Sequence, residues 1–300
     1  MDISAPLISP RLGLATLGVV VASACFGFVP IFARSLTDGG MAPHAVALYR
    51  YVLAALVMLP FVWQARGQVH TLLWGLLVGG VMGLGWVGYV RAIEVVSVST
   101  AGVLYMTYPA FTMLISWVLF GDRPTRRGIF AALMIVAAAA IVSSPSAIPA
   151  EQIPALLLSL AAPIGFGFGI SVLVHRMTRI PVLARIGVVS AGSILGLMPL
   201  VLATEIEAMI PVTGTAWLMV VGIGLGTALI PQLIYTVCSP MIGTARTAMA
   251  GSIELPVMFA VGWYFFGEAL HLSQAVALGL VLAAILMTPG QRARSIAADS

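Results

Sequence analysis

Apolar residues along the chain form long stretches that short polar segments separate. A helix needs roughly 20 apolar residues to cross a bilayer core about 30 Å thick. Ten stretches of about this length follow one another, and they are numbered here as spans 1 to 10: 12–33, 44–64, 71–91, 97–119, 128–144, 153–174, 182–202, 215–237, 247–266 and 272–289. They are too long for barrel strands, and only a helix satisfies its own backbone in lipid. The pattern predicts an all-α integral membrane protein with ten transmembrane helices.

The composition agrees with a membrane protein. Hydrophobic residues make up 61% of the 300-residue chain and charged residues 8%, whereas soluble domains carry about 25% charged residues. The segment "VVASAC" (20–25) has some features of a signal-cleavage or lipoprotein site. Apolar residues continue beyond it, which favours an uncleaved first helix.

The basic residues, all of them arginines, alternate between loops. If the N-terminus is cytoplasmic, Arg34 and Arg91 lie outside, whereas the arginines predicted to lie inside include Arg11, Arg66, Arg123, Arg126, Arg127, Arg176, Arg179, Arg292 and Arg294. This is the bias expected of loops that orient a membrane protein. It accounts for the formal charge of +4 without a nucleic acid partner. Both termini are predicted to be cytoplasmic.

Two segments resemble each other at an offset of 146 residues: "WVLFGDRP" from Trp117 and "WYFFGEAL" from Trp263. The same offset joins Tyr89 to Tyr235. It divides the chain into a first five-helix repeat at 12–144, a second at 153–289 and a cytoplasmic tail at 290–300. Because five is odd, the second repeat enters the membrane from the opposite side. Such inverted repeats are the architecture of many alternating-access transporters.

Four features of the sequence point to one superfamily: the ten spans, the 5+5 inverted repeat, an arginine in span 2, and a proline followed by "FG[DE]" at the ends of spans 4 and 9. In these features the chain resembles the drug/metabolite transporter superfamily, from about residue 12 to residue 289. Within the superfamily the chain is most similar to bacterial exporters of amino acids, including aromatic ones. The resemblance implies a secondary transporter in the bacterial inner membrane that exports small amphipathic metabolites. A carrier of drugs or other metabolites, such as nucleotide sugars, and a passive facilitator are the alternatives.

No enzyme motif is present in the sequence. The histidines are scattered near span ends without an HExxH pattern, and no GxxxxGK[ST] motif occurs. We therefore expect no enzymatic activity, no cofactor and no metal. An intramembrane enzyme and a passive scaffold or channel remain open as other classes. The expected partners are a small-molecule substrate and the lipid bilayer, and a chain with both repeats is expected to function as a monomer.

Arg50 lies in the apolar run "VALYRYVLAALVML" (46–59), about seven residues from the outer end of span 2. An arginine at the centre of a span costs about 2.5–3.5 kcal/mol, so it is expected to face protein or water. One hypothesis is that it binds a substrate carboxylate or an acidic gate partner. The other is a structural lock on backbone carbonyls or on an acid. The sequence favours a structural or gating role over direct substrate contact.

Glu254, in "GSIELPVMF", is the acid predicted to lie deepest in the bilayer. Burial favours the neutral form of a carboxylic acid, so Glu254 can in principle exchange a proton. The hypothesis is that it couples export to inward proton movement and binds a substrate ammonium group. An acid that is always paired or always neutral, and that only packs, is equally favoured.

The uncharged candidates lie in the paired spans. They are Trp86, Tyr89, Tyr105, Tyr108, Gln232, Tyr235 and Ser252. Aromatic walls suit an amphipathic solute with an apolar side chain. Core packing, or a place in the interfacial aromatic belt, is the alternative for each aromatic residue.

Proline and glycine predict where the helices bend and where they pack closely. Pro30, Pro163 and Pro231 lie within or near the middle of spans 1, 6 and 8 and predict kinks around a central cavity. In span 3, glycines at four-residue spacing from Gly75 to Gly83 predict a close helix neighbour. The run "GFGFG" (165–169) is interpreted in the same way and not as a phosphate loop.

Overall fold

A computed structural model describes residues 10–143, 149–251 and 253–287. In these residues all regular secondary structure is helical. The α-helices are α1 (Pro10–Gly27), α2 (Val29–Asp38), α3 (Pro43–Val62), α4 (Val69–Val95), α5 (Val98–Tyr105), α6 (Tyr108–Phe120), α7 (Arg126–Val142), α8 (Ile153–Ser159), α9 (Ala161–Arg176), α10 (Val182–Leu202), α11 (Gly214–Val221), α12 (Ile230–Gly251), α13 (Glu254–Phe266) and α14 (Leu272–Met287). A π-helix, Gly222–Leu229, joins α11 to α12.

Helices lie at all ten stretches that the hydrophobic pattern predicts. Seven helical segments of the described residues are long and apolar enough to cross a membrane: Arg11–Asp38, Pro43–Ala65, Val69–Val95, Val98–Phe120, Ala150–Arg176, Val182–Leu202 and Gly214–Cys238. The helices Glu254–Phe266 and Leu272–Met287 are apolar but shorter. The prediction of an all-helical membrane protein is therefore confirmed, whereas the count of ten spans stays a prediction. The predicted tail at 290–300 lies outside the described residues.

Several spans consist of two helices with a short break between them. Span 1 is interrupted at Phe28, between α1 and α2, and Pro30 is the second residue of α2. Span 6 is interrupted at Leu160, three residues before Pro163. The missing N–H of proline costs little in the first turn of a helix, because no helical partner exists there. The kinks at Pro30 and Pro163 stay a prediction, and the one-residue interruptions just before each proline favour it.

Pro231 has a different setting. It is the second residue of α12, directly after the π-helix. Wider π turns are a known way for a long helix to accommodate irregular backbone hydrogen bonding. The kink at Pro231 stays a prediction, and the π turns at Gly222–Leu229 precede that proline.

The start of span 9 differs from the prediction. The sequence indicates a loop at 238–246 and a helix from 247, but α12 continues to Gly251 and α13 begins at Glu254. Polar residues alone do not end a helix, and the segment 241–250 is rich in the good helix formers Ala, Met and Arg. The break consequently falls immediately before Glu254.

The helices α6 and α13 correspond closely. Each has 13 residues, and each ends at a glycine in the left-handed region, Gly121 at φ 76° and Gly267 at φ 62°. Glycine adopts this conformation without the steric cost that a Cβ atom imposes. Their first residues, Tyr108 and Glu254, differ by the 146 positions of the predicted repeat. The two-repeat organisation stays a prediction, and these matching bounds favour it.

The glycines of span 3 pack against α10. A Cβ atom at Gly79 would collide with the carbonyl oxygen of Val189 and lie 2.7 Å from the Ser193 nitrogen. A Cβ atom would also lie too close to Val188 if placed at Gly75 and to Ser193 if placed at Gly83. The Ser193 hydroxyl donates to the Gly79 carbonyl oxygen at 2.9 Å. The predicted close neighbour is thus α10.

Candidate functional site

Five aromatic side chains form a continuous series through the interior of the helical bundle, called here the aromatic chain. Its members are Trp86, Tyr89, Tyr105, Tyr108 and Phe166, which come from α4, α5, α6 and α9. Successive ring centroids are 5.1, 5.7, 5.8 and 5.0 Å apart. Tyr89 is only 2% exposed. The predicted aromatic candidates of spans 3 and 4 therefore lie together inside the protein.

Arg50 lies at one end of the aromatic chain. Its guanidinium stacks over the Trp86 ring at 4.0 Å, which is cation–π geometry. The Nη1 atom is buried and has no hydrogen-bond partner, and the same holds for the hydroxyl of Tyr89. Buried polar groups are normally hydrogen-bonded. These atoms therefore keep hydrogen-bonding capacity for a bound molecule.

Glu254 faces the same region from α13. It is the first residue of that helix, where the helix dipole favours a carboxylate. The Glu254 side chain interacts electrostatically with Arg50, Tyr105 and Tyr108. Among the described ion pairs, none joins Arg50 to Glu254 directly. The two opposite charges, each half-buried, therefore border one region without forming a salt bridge.

The break in span 1 lies against the start of α13. A Cβ atom at Gly27 would lie 2.9 Å from the Glu254 carbonyl oxygen. The preceding residue, Phe26, packs against Tyr235 with ring centroids 6.1 Å apart. Tyr235 in turn interacts electrostatically with Tyr108. The candidate Tyr235 thus borders the same buried region as the aromatic chain.

Two candidates are not among the residues described in this region. Gln232 is exposed on α12. Ser252 lies outside the described residues. The cluster of buried and half-buried side chains, called here the central site, is therefore made by Arg50, Tyr51, Tyr235, Glu254 and the aromatic chain.

A polar network lies at the end of the bundle that carries Glu268, called here the Glu268 end. Arg34 donates to the Glu268 carboxylate at 3.3 Å and stacks over the Phe266 ring at 4.7 Å. The same carboxylate accepts a hydrogen bond from the Val98 N–H at 2.7 Å. One acid consequently joins α2, the start of α5 and the segment after α13.

A corresponding network lies at the opposite end, called here the Asp122 end. The Asp122 carboxylate lies 2.9 Å from Nε2 of His175. The His175 ring stacks on the Phe120 ring with centroids 4.3 Å apart, and the Arg176 guanidinium also lies over the Phe120 ring. Phe120 and Asp122 correspond to Phe266 and Glu268 at the 146-residue offset. At each end, an acid of one predicted repeat pairs with a base of the other.

Comparison with known proteins identifies the first part of the chain. Residues 13–144 match the EamA-like transporter family. The EamA-like segment nearly coincides with the first predicted repeat. With the seven long apolar helices, the match identifies a multi-pass membrane protein with an EamA-like transporter segment. A family of transporters agrees with the expectation that the chain is not an enzyme.

Two further similarities extend along most of the chain. A relative from Archaeoglobus fulgidus, described as an uncharacterized transporter, is 23% identical over 275 residues, which cover 90% of this chain and 94% of the relative. A crystal structure with 19% identity covers 92% of this chain and 96% of its own, with a TM-score of 0.61. At this identity the structural likeness shows a shared fold. The fold therefore extends beyond the EamA-like segment into the second half.

Sequence reasoning missed Tyr51 and Phe166 of the central site, and also Phe26, which packs against Tyr235 at its border. Phe26 lies within the EamA-like segment and Phe166 beyond it, but both occur in the same short sequence, "FGF". The central glycine packs closely in each case, Gly27 against Glu254 and Gly167 against the backbone of Thr112, where a Cβ atom would lie 2.8 Å from its nitrogen. The repeated "FGF" in spans 1 and 6 was the available signal.

Proposed function

We propose that this chain is a secondary transporter of small zwitterionic metabolites, with amino acids as the expected substrates. The observation that carries the proposal is the pair of half-buried opposite charges, Arg50 and Glu254, which face one region without an ion pair between them among those described. A zwitterion presents a carboxylate and an ammonium group on one small molecule. It can therefore satisfy both charges together.

Each group of the central site has a suitable counterpart on such a substrate. The planar guanidinium of Arg50 suits a carboxylate, since it can donate two parallel hydrogen bonds. Glu254 suits the ammonium group. The aromatic chain offers ring faces to an apolar side chain. The unpaired Arg50 Nη1 favours substrate contact over the structural lock that the sequence favoured.

The same charges argue against the nucleotide-sugar alternative. A nucleotide sugar carries phosphates, and recognition of phosphates uses arginine clusters or several positive groups. The central site places a carboxylate opposite one arginine. Other small zwitterions and amphipathic metabolites remain compatible with this charge pattern, and they form the second candidate class.

We further propose that transport proceeds by alternating access between two inverted five-helix repeats. Support comes from the polar networks at the two ends, which pair Arg34 with Glu268 and His175 with Asp122. Opening either end requires that its pair separate. The breaks before Pro30 and Pro163 support the proposal because half-helices can tilt separately.

We propose that proton entry supplies the energy for export of the substrate. A proton and a substrate ammonium group would compete for the Glu254 carboxylate, so binding of one favours release of the other. This competition is the simplest way in which one acid within a membrane span links two opposing flows. In the orientation we propose, both termini lie in the bacterial cytoplasm and the Asp122 end lies on the cytoplasmic side of the membrane.

The test is uptake of a radiolabelled amino acid panel into proteoliposomes, with and without an imposed proton gradient. We expect saturable uptake that is competed by unlabelled substrate and accelerated by substrate preloaded on the opposite side. Replacing Glu254 with Gln should retain exchange but remove its dependence on the gradient. Arg50→Lys, which keeps the charge but not the planar fork, should raise KM by about tenfold or more.

Gln232→Ala is the matched control, because Gln232 is exposed and outside the central site. Unchanged pH dependence in the Glu254→Gln variant would contradict proton coupling while leaving substrate exchange intact. Uptake without saturation or exchange would instead indicate a passive channel. Saturable uptake of metabolites other than amino acids would favour the second candidate class.

A further inference from the structure

A groove opens on the outer surface of the bundle, away from the central site. It has a volume of about 640 Å³ and lies along α3 towards the Asp122 end, with contributions from the start of α4 and from α10. Its walls include Leu56 and Leu59, which are 70% and 49% exposed. The small, buried side chain of Ala55 leaves space between them. An apolar groove of this kind, open at the side of a membrane protein, faces the acyl chains of the bilayer.

One charged residue lines the groove. Arg66 follows the end of α3, and its guanidinium lies over the Trp63 ring at 4.9 Å. Trp63 is 70% exposed, in the position typical of an aromatic residue at the membrane interface. Within the described residues, Arg66 belongs to no ion pair. Its guanidinium is therefore available to an anion at the membrane surface.

We propose that this groove binds one acyl chain of an anionic phospholipid whose phosphate is held by Arg66. The apolar walls match the chain, and the arginine at the end of α3 lies where a headgroup would begin. Trp63 positions the guanidinium by stacking on one face and leaves its N–H groups free to donate to phosphate oxygens. The site is independent of the proposed transport function, because it uses the surface of α3 that faces lipid.

A second copy of the chain fits the groove less well. In a two-fold symmetric dimer the same patch is used on both subunits. Each subunit would then bring its own Arg66 to the same interface without a described acid to neutralise it. An anionic lipid supplies that neutralising charge.

The proposal is tested by native mass spectrometry of the full chain in detergent, titrated with phosphatidylglycerol and with phosphatidylcholine of identical acyl chains. We expect phosphatidylglycerol to bind about fivefold more tightly, the factor that one arginine near a membrane surface contributes. Arg66→Gln should abolish this preference. Arg123→Gln should keep it, because Arg123 is exposed in the loop at the same end and outside the groove.

A second measurement locates the lipid. Phosphatidylglycerol with a photoreactive group in one acyl chain should label the segment 52–63 in the wild type and label it at least severalfold less in Arg66→Gln. Equal binding of the two lipids, or equal loss of preference in both arginine variants, would overturn the proposal. So would labelling spread evenly over all exposed helices, or a dimer mass in place of a lipid adduct.

Discussion

Glu268 shows how a single acidic residue performs two tasks at once. It pairs with Arg34 at 3.3 Å and also accepts the Val98 N–H at 2.7 Å, at the first turn of α5. That N–H has no partner within its own helix, because the first four donors of an α-helix lack one. Glu268 is therefore both an ion-pair partner and a cap for α5.

This double role predicts that exchanging the two charges fails. The double variant Arg34→Glu with Glu268→Arg restores an ion pair, but an arginine at 268 has no acceptor for the Val98 N–H. We expect the free energy of unfolding of the double variant to be about 1.5–3 kcal/mol lower than that of wild type. This is the usual effect of losing a hydrogen bond to a charged group. Chemical unfolding in detergent measures this difference.

Glu268→Gln is the matched control, since an amide oxygen can still accept from Val98. It should be less destabilised than Glu268→Ala. Full recovery of stability in the charge-exchanged protein would show that the cap contributes nothing.

At the residue scale, the sequence predicted the charged members of the central site better than the apolar ones. Arg50 and Glu254 are conspicuous because a charge within an apolar run is costly unless it has a purpose. Phe166 has no such cost in a membrane span, so hydropathy cannot distinguish a site phenylalanine from a packing one. Gln232 was predicted from its place in one of the paired spans, yet it is exposed, because a place in a paired span does not fix which way a side chain points.

At the element scale, the approach of α4 to α10 depends on glycine at particular positions. Replacing Gly79 with Ala would drive a Cβ atom into the Val189 carbonyl and disturb the Ser193 hydrogen bond. We expect a loss of about 1–3 kcal/mol in the free energy of unfolding, as is usual for overpacking. Unfolding in detergent, followed by circular dichroism, measures it.

The neighbouring residue provides the control. At Gly80 a Cβ atom would meet α10 at ordinary contact distances of 3.7 and 3.9 Å. Gly80→Ala should therefore have nearly wild-type stability. Equal destabilisation by both substitutions would indicate that flexibility, and not helix separation, explains the glycines of α4.

Hydrophobic pattern predicted the positions of the helices but not the breaks within them. The residues around Phe28 and Leu160 are as apolar as their neighbours, so a break of one residue leaves the hydropathy unchanged. Proline gave the approximate positions at Pro30 and Pro163. It did not determine whether the outcome would be a kink, a break or the π turns that precede Pro231, because tertiary packing decides among them.

At the scale of the whole molecule, the two end networks are expected to alternate between closed and open. A short bifunctional thiol reagent applied to Arg34→Cys with Glu268→Cys should hold the Glu268 end closed. We expect substrate exchange to fall by more than tenfold and to return when the link is cleaved by reduction. Counterflow in proteoliposomes measures the exchange.

The experiment uses a background in which Cys25 and Cys238, the two native cysteines, are replaced by Ala. The two single-cysteine variants report the effect of losing Glu268 or Arg34 without a link. Undiminished exchange in the linked protein would mean that the Glu268 end is not a gate.

The pairing of Arg50 with Trp86 also bears on how the protein is made. Trp86 follows Arg50 closely in the chain, but Glu254 follows about 200 residues later, and a ribosome adds about 5–20 residues per second. The guanidinium therefore enters the bilayer on the order of ten seconds or more before Glu254 has been synthesised. During that interval the indole ring of Trp86, which leaves the ribosome soon after Arg50, is the available partner of the guanidinium. We expect Trp86 to act as a chaperone within the chain, one that keeps nascent α3 in the membrane until the second half arrives.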